Sequence, residues 1–341
     1  MNIRKVAEMA GVSVATISRV LNHPEQVLPE TREHVLSMMK QLNYTPNFFA
    51  RSLNLSKTNT IALLIPSIES DFYQKVISGI ETVVRSKDYA VFFCNTHGNP
   101  QIEFDFIKMV AARRIDGIVL VSSHLDEQQA LHLQNTKIPS IHIGKNRISG
   151  CETLCYIDFE EGTYRLIRHL IGLGHQRIDL LLDNLQTNET AQIEAGFRRA
   201  QRESGKRIKC KQSFGESSVQ GGYIAGQRMV QQDDFPDALV TASDEQALGV
   251  MKAAQDTGLL IPQQLALASM TDSPMCSIVS PPLTCLEHPA VKLGMAAARL
   301  LLDNIENKEL ELGVPQEMIL QPKLKIRKSC GNTKYIYELF D

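Results

Sequence analysis

The run Val6-Ala7-Glu8-Met9-Ala10-Gly11-Val12-Ser13-Val14-Ala15-Thr16-Ile17-Ser18-Arg19-Val20-Leu21-Asn22 constrains this chain more than any other. Val6, Ala7 and Ala10 recur at helical spacing, as do Ile17, Val20 and Leu21. The run therefore reads as two short helices, each with one apolar face. Gly11 supplies the backbone freedom for a sharp turn, and Val12 can plug the space between the helices. Ser13 is a good N-cap, so the second helix is expected to start at Val14. Thr16, Ser18, Arg19 and Asn22 stay outside as a row of donors. Two helices and a turn also occur as plain packing. The outward donors favour a helix-turn-helix whose second helix is offered to a DNA major groove.

A third helix is expected over residues 29–42, with Pro29 in its first turn and Val35, Leu36, Met39 and Leu42 on one face. Charge supports a separate head. The 341-residue chain has a net charge of −2, which alone argues against a nucleic-acid binder. Residues 1–60, however, hold seven Lys or Arg against four acids, so a small basic head precedes an acidic body. That division fits a DNA-binding module joined to a regulatory one.

Beyond residue 60, short apolar runs alternate with amphipathic segments. Strands are expected at residues 61–66, 89–94, 116–121 and 139–144, with helices between them. Residues 155–280 repeat the plan, which predicts parallel sheets covered on both faces. The seven cysteines are odd in number and scattered, and Cys151 and Cys155 have no His or Cys pair at zinc-ligand spacing nearby. Reduced, buried thiols are expected, with no metal and no cofactor. No apolar run suggests a signal peptide or reaches the ~18–20 residues that span a bilayer, so the expected location is the cytoplasm, with no membrane partner. An enzyme would have to use residues such as His97, His124, His142 or His175, but no nucleophile elbow, phosphate loop or metal-ligand spacing joins them.

The words VAEMAGVSVATISRVLN, ETREHV and LNYTPNFFARSL, followed far downstream by DGIVL, GHQRI and SDEQALG, resemble those of the LacI/GalR family of bacterial transcription regulators. The resemblance extends to about Ser329. It implies a small all-α helix-turn-helix domain at residues 1–46 and a hinge helix with linker at 47–59. It then implies an α/β, two-lobed, periplasmic-binding-protein-like domain with parallel sheets at 60–329. Lobe one would comprise about 60–148 and 285–318, and lobe two about 149–284 and 319–329. Residues 330–341 extend beyond the family pattern.

The resemblance also implies a repressor acting as a homodimer on double-stranded, palindromic operator DNA, under control of a small-molecule effector between the lobes. A tetramer is left open. In that docking Val14, Ala15 and Arg19 face base edges, Arg19 being suited to guanine. Ser13, Thr16, Ser18 and Asn22 hold phosphates. Tyr44, Asn47, Ala50, Arg51 and Leu53 belong to the hinge contact, with Leu53 wedged into the central base step. The expected effector residues are Phe72, Tyr73, Ser122, Glu189, Ile193, Ser217, Asp244, Thr271 and Asp272. Sugar-binding relatives carry Arg and Asp where this chain has Ile193 and Thr271, so the effector need not be a simple sugar. Leu28 also departs from the polar residue usual before Pro29. The competing reading is a solute-binding protein without DNA binding, which leaves residues 1–55 unexplained.

Overall fold

The computed structural model describes residues 3–22, 24–42, 44, 57–184, 188–205, 207–232, 235–307 and 316–333. The chain divides into two compact units, Met1–Asn59 and Thr60–Asp341.

The first unit contains α1 (Ile3–Met9), α2 (Val14–Asn22), a short 3-10 turn at Pro24–Gln26, and α3 (Pro29–Gln41). Val6, Ile17 and Val35 are fully buried where the three helices meet, and Ala7, Ala10, Val20 and Met39 complete the core. Gly11 turns the chain at φ +64°. Val12 then donates its N–H to Ala7 O at 3.0 Å and packs on the core. Ser13 Oγ accepts the Thr16 N–H at 3.0 Å, capping α2. Leu36 departs from the expected inward face and is 43% exposed. The buried stripe of α3 is Val35 and Met39, flanked by Met38 and Leu42, and one residue of helix rotates Leu36 off it. Leu28 sits at the N-cap of α3 without a side-chain hydrogen bond and is 75% exposed. Leu28→Ser is therefore expected to stabilise this unit by about 1 kcal/mol, read as slower amide exchange along α3 in the full chain.

The second unit runs β1 (Thr60–Ile65), α4 (Asp71–Arg85), β2 (Ala90–Asn95), α5 (Pro100–Ala112), β3 (Gly117–Val121), α6 (Glu127–Thr136), β4 (Ser140–Ile143) and β5 (Thr153–Ile157). It continues with α7 (Phe159–Gly172), β6 (Ile178–Asp183), α8 (Asn188–Glu203), β7 (Gln212–Gly215), α9 (Val219–Val230), β8 (Ala238–Thr241), α10 (Asp244–Thr257), β9 (Ala266–Ser269) and α11 (Met275–Ile278). Last come β10 (Thr284–Glu287), α12 (Ala290–Glu306), β11 (Glu317–Leu320) and β12 (Lys323–Lys325).

Two six-stranded sheets form, in the orders β11-β5-β4-β3-β1-β2 and β12-β10-β9-β8-β6-β7. All pairs are parallel except β10 with β12. Along β1, Ile61, Leu63 and Ile65 face α4 and α12, while Ala62 and Leu64 face α5 and α6. In the second sheet Leu180 and Leu182 pack toward α7 and α8, and Leu181 toward α10. This double burial explains the nearly continuous apolar runs of the strands.

The lobe boundaries differ from those expected. Thr153–Ile157 pairs with β4 in the first sheet, with Ile141 opposite Thr153, so it belongs to lobe one rather than lobe two. Glu317–Leu320 extends that same sheet, and Thr284–Glu287 lies in the second. The chain therefore crosses between lobes after β5, after β10 and after β11. The first and third crossings are tied together: Asp158 donates its N–H to Leu320 O at 3.0 Å, and Gln321 Nε2 donates to Asp158 Oδ2 at 3.2 Å. Cys330 is fully buried in the core of lobe two, so it ends that lobe rather than beginning an extension. Residues 334–341 lie outside the described residues. So does most of the expected hinge, including Asn47, Ala50, Arg51 and Leu53.

In lobe one, α4 and α12 cross on two glycines. A Cβ at Gly79 would lie 2.1 Å from Val291 O, and one at Gly294 would lie 2.2 Å from Val76 O. No helix among the described residues is long and apolar enough to cross a membrane.

Candidate functional site

On the head, the outer face of α2 carries Val14, 41% exposed, with exposed Ala15 and Arg19, opposite buried Ile17 and Val20. An apolar methyl-bearing side chain beside a guanidinium suits thymine methyls and the acceptor pair of guanine. Ser13 is exposed and Thr16 half-buried, and their hydroxyls hydrogen-bond each other at 2.9 Å. Both therefore hold the start of α2 as well as facing outward. Ser18 is half-buried, and Asn22 is the last residue of α2. Tyr44 packs against the helical core and donates its N–H to Met39 O at 2.9 Å.

In the second unit, the cleft between the lobes lies at the carboxyl ends of the strands, where ligands bind in open α/β sheets. It has two compartments, of about 540 and 450 Å³, that share Phe72, Tyr73, Phe159 and Glu189. The larger is lined by Phe72, Tyr73, Glu189, Ile193, Ser217, Asp244, Thr271 and Asp272. Ser122 lines the smaller, within 3.4 Å of the Tyr73 hydroxyl, which donates to it. The expected effector residues therefore all reach one compartment or the other. The cleft also contains residues that the sequence did not single out, chiefly Phe159 and His288 from two of the crossings. Their rings meet edge to face at 4.9 Å, and His288 stands 6.1 Å from Phe72. Phe72 and Tyr73 meet at 5.4 Å, giving an aromatic cluster along the hinge.

Thr271 and Asp272 are engaged within lobe two. The Asp244 N–H donates to Thr271 Oγ1 at 2.8 Å, and the Thr271 hydroxyl donates back to Asp244 Oδ1 at 2.5 Å. Ser243, not Asp244, caps α10, accepting the Gln246 N–H at 3.2 Å. Asp272 receives Arg327 at both oxygens, at 2.8 and 3.3 Å, and Lys325 at 3.5 Å. These residues shape the floor of the larger compartment and their own hydrogen bonds are already made.

Ligand-type atoms of Asp272, Cys276 and Cys285 lie within 4.8 Å of one another, a grouping invisible from sequence spacing. The Asp272 carboxylate is already held by Arg327. The Cys285 thiol donates to Leu283 O at 3.2 Å, and burial pushes its pKa far above the usual thiol range.

Electrostatics set several protonation states. Burial, reinforced by Glu189, pushes the Tyr73 phenol up to about 12, so it acts as a donor. Glu189 is reachable by solvent from the mouth, yet the surrounding walls displace enough water to raise its carboxyl above the ordinary range; Asp183 adds to the effect and His124 opposes it. In the smaller compartment, His142 Nε2 accepts the Ser123 N–H at 3.1 Å, which places the proton on Nδ1, 2.8 Å from Asn146 O. Burial holds its pKa down at about 4, so the ring is neutral. Of the other histidines considered for catalysis, only His124 lines the same compartment; His97 sits in an exposed turn, and His175 Nε2 bonds Cys330 O at 3.1 Å in lobe two.

Comparison with known proteins agrees from end to end. Residues 2–47 match the family described as bacterial regulatory proteins, lacI family, and residues 167–330 match a periplasmic binding protein-like domain. The chain is 30% identical to the HTH-type transcriptional repressor PurR of Haemophilus influenzae (strain PittEE) over 329 residues, 96% of this chain and 98% of that protein. It is 29% identical to catabolite control protein A of Priestia megaterium over 334 residues, covering 96% and 99%. Among solved structures, the lac repressor dimer bound to operator and the anti-inducer ONPF superposes with a TM-score of 0.86 at 24% identity, covering 97% of this chain and 99% of that one. The CelR–cellobiose complex gives a TM-score of 0.70 at 25% identity, covering 96% and 99%. With the head matched and the likeness to full-length repressors unbroken along the body, this chain belongs to the lacI family of bacterial regulatory proteins, DNA-binding transcriptional repressors that carry an effector-binding domain.

Proposed function

We propose that the protein binds a two-fold-symmetric operator as a homodimer, in the cytoplasm, and that a small molecule in the interlobe cleft sets its DNA affinity. The exposed Val14–Ala15–Arg19 face of α2 carries this reading, because it offers base-reading chemistry on a helix whose other side is a closed core. Arg19 reads guanine, Val14 and Ala15 touch neighbouring base edges, and Ser13, Thr16, Ser18 and Asn22 set the register on phosphates. Asn47, Ala50, Arg51 and Leu53 form a minor-groove contact, with Leu53 as the wedge. Titrating operator fragments in a gel-shift assay at fixed salt tests the docking. Arg19→Ala is expected to lower specific affinity by ~1–3 kcal/mol while leaving non-specific binding nearly intact. Leu53→Ala is expected to reduce bending of the same fragment. Unchanged operator binding in both variants refutes the docking.

In the cleft, Phe72, Tyr73, Ser122, Glu189, Ile193, Ser217, Asp244, Thr271 and Asp272 surround the effector, directly or by holding its walls. The relatives carry the analogy. One is solved with ONPF, another with cellobiose, and a regulator from Enterococcus faecium, at a TM-score of 0.70 and 24% identity, with ribose. The effector acts by preferring one arrangement of the lobes, since equal affinity for both would shift nothing.

A further inference from the structure

The larger compartment is acidic, and its bases are already committed. Lys75, the one amino or guanidinium group among its lining residues, is paired with Asp71 at 2.6 Å. Asp272 is answered from behind by Arg327 and Lys325. His288 is neutral, because burial holds its pKa down at about 4, and its Nε2 is buried with no hydrogen-bond partner among the described residues. That leaves Glu69 on lobe one and Asp183, Glu189, Asp244 and Glu245 on lobe two. Glu69, Glu189, Asp244 and Glu245 have no basic partner at ion-pair distance among the described residues. Glu245 shows the crowding: burial, then the Asp244 charge, raises its carboxyl pKa. Against these acids stand the rings of Phe72, Tyr73 and Phe159.

Carboxylates beside aromatic faces attract a desolvated cation, the former by charge and the latter by the ring quadrupole. An anion in the larger compartment would meet five carboxylates besides the paired Asp71 and Asp272, and no arginine. For a neutral polyol the compartment offers Ser70, Ser217 and the same carboxylates, but Ile193 presents only methyls and the Thr271 hydroxyl is already bonded to Asp244. Past the shared aromatics, the smaller compartment offers Pro66, Ile143, Ile157 and Leu293 as an apolar wall. We propose that the cleft takes a small organic cation, a protonated amine carrying an aromatic or other apolar body. Its ammonium lies against Glu189 and Asp244, and its body passes between Phe72, Tyr73 and Phe159 into the smaller compartment. The inference rests on the cleft being the effector site. It also supplies a reason for closure. A cation held by acids of both lobes favours the arrangement that brings those acids together.

The test uses the full chain and four probes at equal ionic strength: phenethylamine, its neutral analogue 2-phenylethanol, the anion phenylacetate, and ribose. Tryptamine and putrescine extend the amine series. The expected result is a rise in melting temperature with one or more amines, and none with the alcohol, the acid or the sugar. Glu189→Gln is expected to weaken the best amine roughly 10-fold or more. Glu69→Gln, on the opposite lobe and nearly isosteric, serves as a second variant should the first fail to fold. Silence from all three amines, or equal stabilisation by the alcohol or phenylacetate, overturns the proposal. The failure modes separate when operator affinity is measured alongside. A sugar that stabilises the protein and shifts operator affinity removes the cation but keeps the effector site. An amine that stabilises it while operator affinity stays fixed removes the effector role but keeps the cation.

Discussion

Arg327→Met is expected to cost lobe two about 3–5 kcal/mol, because it leaves a buried carboxylate without its main partner. Asp272 is 7% exposed at its side chain and Arg327 12%. The guanidinium spans both Asp272 oxygens and also donates to Leu283 O at 2.6 Å. The Arg327 N–H donates to Thr284 Oγ1 at 2.9 Å, so the residue ties the C-terminal segment to β10 as well. Lys325 lies 3.5 Å from Asp272 but is shared with Glu287 at 3.2 Å, and it can answer only part of the loss. Urea unfolding followed by circular dichroism checks the magnitude. Adding Asp272→Asn to Arg327→Met is expected to return much of the lost stability, since the stranded charge then disappears. A single variant within 1 kcal/mol of the parent would show that the pair is not desolvated as its burial implies.

Gly294→Leu is expected to cost about 3 kcal/mol or more, at the upper end of overpacking effects. The first added carbon already falls 2.2 Å from Val76 O and 3.1 Å from Ile80 N, both backbone atoms that no rotamer change can move aside. Gly79 meets Val291 O from the other helix in the same way, so relief at one position is blocked at the other. The two helices must separate. Because α4 begins with Asp71, Phe72 and Tyr73, separation moves the aromatic cluster as well as the core. The expected readout is a lowered urea midpoint together with weakened ligand-induced stabilisation. Gly294→Ala is expected to show the same two effects at smaller size. Wild-type behaviour of the Leu variant would mean that the helices do not cross as closely as described.

The sequence made the head legible because its structure is local. Three helices, one glycine turn and one serine cap lie within a few residues of the positions they control, and Leu36 was misplaced by only one step of rotation. The body was legible as alternating strands and helices, but not in detail. Gln212–Gly215 is an edge strand with mostly exposed residues and gives no apolar run. Val219–Val230 contains Gly221, Gly222 and Gly226, which read as breakers. Gly222 is instead required where α9 approaches α10, since a Cβ there would sit 2.0 Å from Gln246 O. Nothing in periodicity says which sheet a strand joins, and that is why Thr153–Ile157 was assigned to the wrong lobe. Loops after strands could be named as cleft residues from topology alone. Phe159 and His288 could not, because they face the cleft through crossings that depend on long-range pairing. The Asp272–Arg327 pair, 55 residues apart, was hidden for the same reason.

The chain passes between the lobes by three adjacent segments, and the first and third are hydrogen-bonded to each other. Side-by-side straps of this kind favour bending about one line over twisting or sliding, so hinge motion of the lobes is expected to run about that line. Phe159 and His288 lie on the straps themselves, next to that line. A molecule lodged there acts at the shortest lever arm of the motion, and a shift of a fraction of an ångström at the axis becomes a displacement several times larger at the lobe tips.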